Sequence, residues 1–256
     1  MSRFIMAINA EKCINCKACI LACRQRNNVP LEYSRNWVRN TPNSQIASRV
    51  SFQPGACMHC DEPLCVYACP TGATYKSADG TVNIDKDRCI GCGSCIKACP
   101  YQARHKNYYT GTADKCDYCG ANLHKGGVPA CVSVCTTKCR VFGDADDPNS
   151  DVAKALAAAK NKVYITAENC DTKPSLTYIS ETMPTDWAKP AEAPLPMRLM
   201  HIVGQGVKWT AGAALFGVIA VFVKQLFLPS DREHGEHNEQ GGHGSENHQE
   251  RGSHHD

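Results

Sequence analysis

The chain is constrained most by a run of four cysteines near its middle. Residues 87–100 have the sequence Asp-Arg-Cys-Ile-Gly-Cys-Gly-Ser-Cys-Ile-Lys-Ala-Cys-Pro. The spacing Cys-x2-Cys-x2-Cys-x3-Cys-Pro is typical of thiolates that bind iron-sulfur clusters. Three thiolates in one tight loop can each reach a different iron of one 4Fe-4S cube, and Gly91 and Gly93 allow the turns and the close backbone approach that such a loop requires. The run therefore predicts a cluster-binding loop.

The last cysteine of the run, Cys99, is predicted to bind a different cube. The chain can begin a short helix after Cys95, and a helix carries a residue four positions further on away from the first cube. Pro100 then ends this helix. Because three local ligands leave one iron without a thiolate, the run also predicts a partner run elsewhere in the sequence.

Four blocks of four cysteines, this run being the third, form an internal repeat between Cys13 and Cys135. The first block has the same gaps as the third, and the second has two more residues in its middle gap. The middle gap of the fourth block has eleven residues, among them three Gly and one Pro, and we interpret it as a loop that leaves the ligands intact. The sixteen candidate ligands, block by block, are Cys13, Cys16, Cys19 and Cys23; Cys57, Cys60, Cys65 and Cys69; Cys89, Cys92, Cys95 and Cys99; and Cys116, Cys119, Cys131 and Cys135.

The composition favours metal over disulfides as the use of the 18 cysteines. Dense disulfides belong mainly to small secreted domains, and Met1–Ala10 shows no charged and then apolar export signal. The alternative from another class is a structural zinc-binding protein, which predicts self-contained groups of four ligands, whereas the repeated three-plus-one spacing favours clusters. A net charge of +3 with dispersed Lys and Arg predicts no nucleic-acid partner.

Short alternating segments flank the blocks and predict small strands at residues 4–8, 81–85 and 140–143. Residues 149–151 predict the cap of a helix that runs to residue 160, and a further strand is predicted at residues 162–166. Strand, cluster loop, short helix and strand make up the two-cluster ferredoxin unit. The predicted fold class is therefore α+β, with two pseudo-symmetric two-cluster ferredoxin-like units in residues 1–170.

The C-terminal third is predicted to be of a different kind. Residues 171–200 are rich in proline and show little periodicity, which predicts an extended surface linker. Residues 230–256 contain acidic residues, Gly, Asn and His but little that can be buried, which predicts a disordered tail. Its histidines could bind divalent metal, but a solvated polar tail is the favoured interpretation.

Between linker and tail, residues 201–229 predict a single C-terminal transmembrane helix. The segment from Trp209 to Val223 is uncharged and is bounded by Lys208 and Lys224. At about 1.5 Å per residue, Val207 to Leu228 reaches roughly 30 Å, which spans one bilayer if both lysines extend to the interfaces. The alternative is a buried C-terminal helix.

The cysteine blocks and the terminal helix together resemble the four-cluster electron-transfer subunits of the DMSO-reductase family of molybdenum oxidoreductases. The formate dehydrogenase beta subunit, with its single C-terminal membrane helix, is one such protein. Related electron-transfer subunits occur in membrane hydrogenases. The resemblance covers most of the sequence. The residues that carry it are Cys57–Cys65 (CMHCDEPLC), Cys69–Tyr75 (CPTGATY), the run at 87–100 with Tyr101, and Phe142–Asp144 leading into Asp147–Ser150.

The resemblance implies four 4Fe-4S clusters and a pairing of the first block with the fourth and of the second with the third. Each cube would take three cysteines from one block and the last cysteine of the paired block, which agrees with the helix argument for Cys99. We call the implied ligand sets A (Cys13, Cys16, Cys19, Cys135), B (Cys23, Cys116, Cys119, Cys131), C (Cys57, Cys60, Cys65, Cys99) and D (Cys69, Cys89, Cys92, Cys95).

The chain departs from the family after Cys135, where Thr-Thr-Lys-Cys replaces the usual Pro-Thr-Gly-Ala. Cys139 could therefore substitute for Cys135 as a ligand. Otherwise we expect Cys139 and Cys170 to be buried and unligated. Some relatives hold a three-iron cluster after loss of one ligand, but the presence of Cys at all sixteen positions favours four 4Fe-4S cubes.

No side chain has the sequence context of a catalyst, because His59, His105 and His124 have no carboxylate or nucleophile set near them, and a neutral surface or packing role is the favoured interpretation. The predicted chemistry is single-electron transfer through a line of cubes. Arg88, Lys97 and Lys115 are charges that could raise nearby potentials, with ordinary solvated charges as the alternative interpretation.

The resemblance implies partners at the two ends of this line, namely a molybdopterin- or tungstopterin-type catalytic subunit and a quinone-reactive integral membrane subunit. We expect the iron-sulfur domain on the outer, periplasmic face of the cytoplasmic membrane after co-export with a partner, with the cytoplasmic face as the alternative. The alternative function of the same class is the electron-transfer subunit of a membrane-bound NiFe hydrogenase.

Overall fold

The structure is a computed structural model that describes residues 2–42, 50–180, 187, 190–204, 206–207 and 219. All of these except Ile219 belong to one unit, Met1–Val207. The strands are β1 (Phe4–Ile8), β2 (Asn36–Pro42), β3 (Val50–Ala56), β4 (Thr74–Lys76), β5 (Val82–Ile84), β6 (Arg104–Lys106), β7 (Ala113–Lys115), β8 (Arg140–Asp144), β9 (Asn161–Val163) and β10 (Thr177–Ser180). The α-helices are α1 (Ala18–Asn27), α2 (Leu64–Tyr67), α3 (Ser94–Lys97), α4 (Ala130–Ser133) and α5 (Asp151–Ala158), and residues 195–204 are also helical.

The largest sheet has the strand order β8-β1-β10-β9 and joins the two ends of the cysteine region. β1 pairs antiparallel with β8, with Ile8 opposite Arg140, and parallel with β10, with Ala7 opposite Thr177. The remaining strands form three antiparallel hairpins, β2-β3, β4-β5 and β6-β7. The mixture of helices and strands agrees with the predicted α+β class.

Each cysteine block places a helix within or directly after its loop. α1 begins two residues after Cys16, α2 contains Cys65, α3 contains Cys95 and α4 contains Cys131. In the last three blocks a strand then begins five positions after the final cysteine, at Thr74, Arg104 and Arg140. The sequence repeat is therefore a structural repeat of loop, short helix and strand.

Cysteines form a large share of the buried interior. The main buried cluster contains Met6, Ile8 and Tyr178 together with several block cysteines, among them Cys57 and Cys116. A smaller cluster packs Val152 of α5 against Ile5 of β1. Because thiols replace aliphatic side chains in the interior, bound metal would supply part of the free energy of folding.

The predicted strands at residues 4–8, 81–85 and 140–143 lie at β1, β5 and β8, and the predicted helix is α5. The strand predicted at 162–166 is β9, which begins and ends earlier. Within the predicted surface linker, residues 171–200, the structure has a strand instead, because all four residues of β10 are buried between β1 and β9. The sequence did not predict β10, because its four residues are too few to show periodicity and lie between proline-rich segments.

The predicted membrane segment lies almost entirely outside the described residues, as does the predicted tail at 230–256. In the part of the chain that the structure describes, no helix is both long enough and apolar enough to cross a bilayer.

Ser150 caps α5, as the sequence predicts, and its replacement tests the contribution of that cap. Its Oγ accepts a hydrogen bond from the backbone N–H of Ala153 at 3.1 Å and donates one to the carbonyl oxygen of Asp144 at 2.5 Å. We expect Ser150→Ala to lower the free energy of unfolding by about 1 kcal/mol because the helix N-terminus loses its acceptor. Thermal unfolding of the cluster-loaded chain measures this. The exposed Ser133→Ala, which removes a hydroxyl elsewhere, should leave the midpoint almost unchanged, and equal shifts for both variants would contradict the capping role.

Candidate metal centres

The four cysteine loops share one backbone feature. The residue before the second cysteine of each block has a positive φ: 56° at Asn15, 45° at His59, 65° at Gly91 and 55° at Tyr118. A left-handed residue turns the chain sharply, so successive cysteines face the same side of the loop. Gly91 indicated this conformation in the sequence, and Asn15 is compatible with it because asparagine adopts it occasionally, whereas Tyr118 carries a bulky side chain that seldom does.

The two glycines of the third block have different roles. A Cβ at Gly91 would collide with the carbonyl oxygen of Gly111, so this position needs glycine both for its φ and for close approach of the backbone. Gly93 has a φ of 79° and precedes α3, but nothing lies within 4 Å of the position that its Cβ would occupy. Gly93 therefore provides a turn only.

The structure brings the cysteines of set A together from the two ends of the cysteine region. Cys13, Cys16, Cys19 and Cys135 line one small cavity although more than a hundred residues separate the last from the others. Cys139 lines the same cavity, and its hydrogen bond to Cys13 lowers the pKa of the Cys13 thiol. The spare thiol is thus buried beside set A, whereas Cys170 is buried in a separate cluster with Leu64 and Ala98.

Sets B and C are the buried ones. In set B, Cys23 lies close to Cys131 and Cys119, and Cys116 lies close to Cys131 and Cys23. In set C, Cys60 lies close to all three other members of its set. Both arrangements join the last cysteine of one block to the first three of another.

Set D lies nearer the surface. Cys92 is exposed and close to Cys69, and Cys89 packs against the buried Cys95. Among the described residues, no three His, Cys, Asp or Glu side chains are grouped so that they could hold a single metal ion. The four thiolates of a 4Fe-4S cube each bind a different iron, so a cube does not require that convergence.

The buried thiols need positive charge nearby in order to ionise. Burial, and then the adjacent thiols, raise the pKa of Cys23 to about 12, and burial likewise raises the pKa of Cys131 to about 11. Neighbouring thiols in a dry site ionise when they bind metal, because the metal supplies the missing positive charge. This donor chemistry fits iron-sulfur clusters.

Hydrogen-bond donors point at the sulfur atoms, as cluster sites require. The backbone N–H of Thr74 reaches Cys69 Sγ and that of Ala113 reaches Cys89 Sγ, each at 3.4 Å. The Asn27 amide reaches both Cys23 Sγ at 3.5 Å and Cys119 Sγ at 3.6 Å. Asn27 was missed in the sequence because its second contact lies ninety-two residues away.

Shared neighbours link set A to set B, set B to set C, and set C to set D. Arg140 is close to Cys19 of set A and to Cys131 of set B. Tyr118 is close to Cys116 of set B and to Cys57 of set C. Arg104 is close to cysteines of sets C and D. The exposed thiols, Cys16 and Cys92, belong to the two outer sets.

The central gap between sets B and C is filled by a neutral aromatic pair. The rings of His59 and Tyr118 stack with centroids 3.8 Å apart at 19°. Burial, together with the nearby charges of Lys115 and Arg104, lowers the pKa of His59 well below its usual value, and its Nδ1 accepts a hydrogen bond from the Val82 N–H at 2.9 Å. His59 therefore has the neutral packing role that the sequence favoured. His105 also packs, with its ring stacked on Tyr33 at 4.7 Å.

Of the three charges singled out in the sequence, only Lys115 is buried, and its Nζ donates to the carbonyl oxygen of Cys116. Arg88 and Lys97 are exposed. The sequence missed the two buried arginines, Arg104 and Arg140, that lie among the thiols. No local pattern distinguishes a buried arginine from a surface one, although both follow the last cysteine of a block by five positions.

Comparisons with known proteins agree with this geometry. One family described as a 4Fe-4S dicluster domain matches residues 48–145, and a second family of the same description matches residues 6–73. The tetrathionate reductase B subunit of Archaeoglobus fulgidus is 43% identical over 180 residues, which cover 70% of this chain and 83% of that protein. Protein NrfC of Escherichia coli K12 is 42% identical over 178 residues, covering 68% and 79%. The polysulfide reductase B chain of Wolinella succinogenes is 39% identical over 180 residues, covering 68% and 92%.

The difference between Gly91 and Gly93 can be tested by alanine substitution. Both variants should lose roughly 1–2 kcal/mol of stability because alanine disfavours a positive φ. Only Gly91→Ala also forces β6-β7 and the third loop apart, so we expect it to lose bound iron, while Gly93→Ala keeps it. Iron per chain and the thermal midpoint are the measurements, and iron loss of the same size in both variants would contradict the close-approach role.

Proposed function

We infer the function of this chain on the premise that it belongs to the family of 4Fe-4S dicluster proteins that form the iron-sulfur B subunits of molybdoenzyme-type reductases. The chain is an iron-sulfur electron-transfer subunit of such a complex. We propose in addition that it carries four 4Fe-4S clusters, one in each of sets A to D. The observation that carries this proposal is that cysteines of the first and fourth blocks lie close together, as do cysteines of the second and third blocks.

When bound, the clusters accept and release single electrons. The chain itself holds the thiolates, supplies N–H donors to sulfur and keeps water from the inner sets, since the thiols of Cys65 and Cys116 are buried. No described side chain needs to exchange a proton, because the histidine next to the inner sets is neutral and buried. The chain acts as a conductor between two partners.

The two ends of the line are open to partner proteins. Cys16 and Cys92 are exposed, and an isoleucine beside each, Ile14 and Ile90, is about two-thirds exposed. Electron transfer between subunits needs an outer cluster near the contact surface. We propose that a molybdopterin-type catalytic subunit docks at one end and a quinone-reactive integral membrane subunit at the other.

The catalytic partner is supported by the relatives, which include components of a tetrathionate reductase and of a polysulfide reductase. These names favour a reductase over the NiFe hydrogenase considered above. The two 4Fe-4S family matches favour clusters over structural zinc.

Attachment to the membrane is proposed from the sequence of Val207 to Leu228, which is long and apolar enough for one crossing. We propose that this segment places one outer set near the quinone-reactive subunit. The periplasmic face of the cytoplasmic membrane, reached by co-export with a partner, is part of the same proposal.

Purification of the tagged full chain from its native membranes tests these proposals together. We expect a brown complex with about sixteen irons per chain, molybdenum or tungsten in a co-purifying large subunit, and a second integral membrane subunit. Protease added to intact spheroplasts should reach the iron-sulfur domain. Nickel in the large subunit would overturn the reductase assignment, and a colourless, zinc-loaded chain would overturn the cluster assignment.

Paired substitutions test the crosswise ligation. Cys65→Ser combined with Cys99→Ser removes two ligands of set C, so iron content should fall by about four per chain, the content of one cube. Cys95→Ser combined with Cys99→Ser removes one ligand from each of two sets, so two 4Fe-4S clusters should be lost or converted to three-iron clusters, which electron paramagnetic resonance distinguishes. If each cube instead took all four ligands from one block, the first pair of substitutions would affect two clusters and the second pair only one. Cys170→Ser, which replaces a buried cysteine outside all four sets, is the control and should keep its iron.

A further inference from the structure

Two buried arginines lie among the candidate cluster ligands with no carboxylate partner in the described part of the chain. Arg104 is 5% exposed and Arg140 is 2% exposed. The half-buried Arg35, by contrast, forms an ion pair with Asp114 at 2.8 Å. A guanidinium in a dry interior carries a large desolvation penalty unless opposite charge is close. Arg104 and Arg140 therefore require some other source of negative charge.

Thiolates are that source. Arg104 lies close to Cys65, Cys57 and Cys95, and its guanidinium is always charged in proteins. Arg140 lies close to Cys131 and Cys19 in the same way. The thiols around Arg104 belong to sets C and D, and those around Arg140 belong to sets A and B. Each arginine thus lies between the two sets of one ferredoxin-like unit.

The contacts of the two arginines follow the repeat. Arg104 Nη2 donates to Cys65 Sγ at 3.0 Å, and Arg140 lies close to Cys19 and lines the same cavity. Cys65 and Cys19 are both the third cysteine of a block. Each arginine begins a strand that follows the third or fourth block and reaches into the block paired with it. Arg140 Nη2 donates to the carbonyl oxygens of Gly55 at 3.2 Å and Trp37 at 3.4 Å, and Nη1 donates to Met6 Sδ at 3.5 Å, which together hold the guanidinium in place.

The corresponding positions of the first two blocks are uncharged. Five residues after the last cysteine, the first block has Asn28 and the second has Thr74. The repeat therefore supplies one arginine to each unit, whereas the neutral pair of His59 and Tyr118 lies between the units with the buried Lys115 nearby.

We propose that Arg104 and Arg140 are charge-compensating residues that raise the reduction potentials of the two clusters on either side of them. Reduction adds one electron, and so one negative charge, to a cluster that is already anionic through its thiolates. A fixed cation within hydrogen-bond distance stabilises the added charge strongly in a low-dielectric interior. It also weakens the repulsion between electrons on neighbouring clusters. This inference rests on the proposed four-cluster function.

Substitution of Arg104 by a neutral residue of similar size is the direct test. The full complex carrying R104Q or R104M is titrated with reduced redox dyes and monitored by electron paramagnetic resonance. Signals are assigned by their loss in Cys16→Ser for set A and Cys92→Ser for set D. We expect the reduction equilibrium constants of the clusters in sets C and D to fall at least tenfold, about 59 mV for one electron, while those of A and B stay within threefold. For R140Q we expect the reduction equilibrium constants of the clusters in sets A and B to fall at least tenfold, while those of C and D stay within threefold.

Two matched variants separate charge from shape. R104K keeps the charge and should keep the potentials within threefold of the parent. R88Q removes an exposed arginine near the same loops and should also leave them within threefold. Loss of iron in both R104Q and R104M but not in R104K would also support charge compensation, because the thiolates would then need the cation in order to hold a cluster. Loss of iron in R104K as well would overturn it in favour of a packing role.

The proposal is overturned if R104Q and R140Q keep full iron while all four potentials stay within threefold of the parent. It is also overturned if each variant shifts all four clusters equally, since that would indicate a general structural effect. A parent complex that contains no iron would instead refute the proposed function, so the two failures can be told apart.

Discussion

A tight loop can supply three thiolates to a cube but cannot supply the fourth, and the architecture follows from that limit. In each block the chain passes from the loop through a helix, which carries the last cysteine away from its neighbours. The missing ligand then has to come from another block, so the first and fourth blocks meet although 92 residues separate them. The β1-β8 pair, which sets Ile8 opposite Arg140, holds this meeting in register.

Metal binding explains how an interior rich in cysteine can be stable. Thiols that face one another in dry surroundings resist ionisation, as the raised pKa of Cys23 indicates. Bound metal reverses this by supplying positive charge, so folding and cluster binding are coupled. Buried cations between the sets and N–H donors to sulfur add to the same compensation. Electrostatics, more than aliphatic packing, would therefore decide how easily each position accepts an electron.

Much of the candidate site could be predicted because its chemistry is written in short spacings. The blocks, the turn at Gly91, the flanking strands and the cap at Ser150 are local features, and the structure has them where the sequence indicates. The left-handed conformations of His59 and Tyr118 could not be predicted, since such side chains adopt them only when the surrounding loop imposes them. Strand β10 was missed because its four residues lie among prolines and acquire their place only from pairing with β1 and β9.

The sequence by itself determined which atoms can bind metal and how many, since ligand type and spacing within a loop are local properties. The tertiary structure decided which sets are neighbours, which of them reach the surface, and what lies in the gaps between them. Arginine at positions 104 and 140 has no special sequence context, yet each is buried against the third cysteine of a distant block. Electrostatic interactions depend on distance in space, so the tertiary structure decides which charged residues lie beside the clusters, and their positions along the sequence do not reveal this.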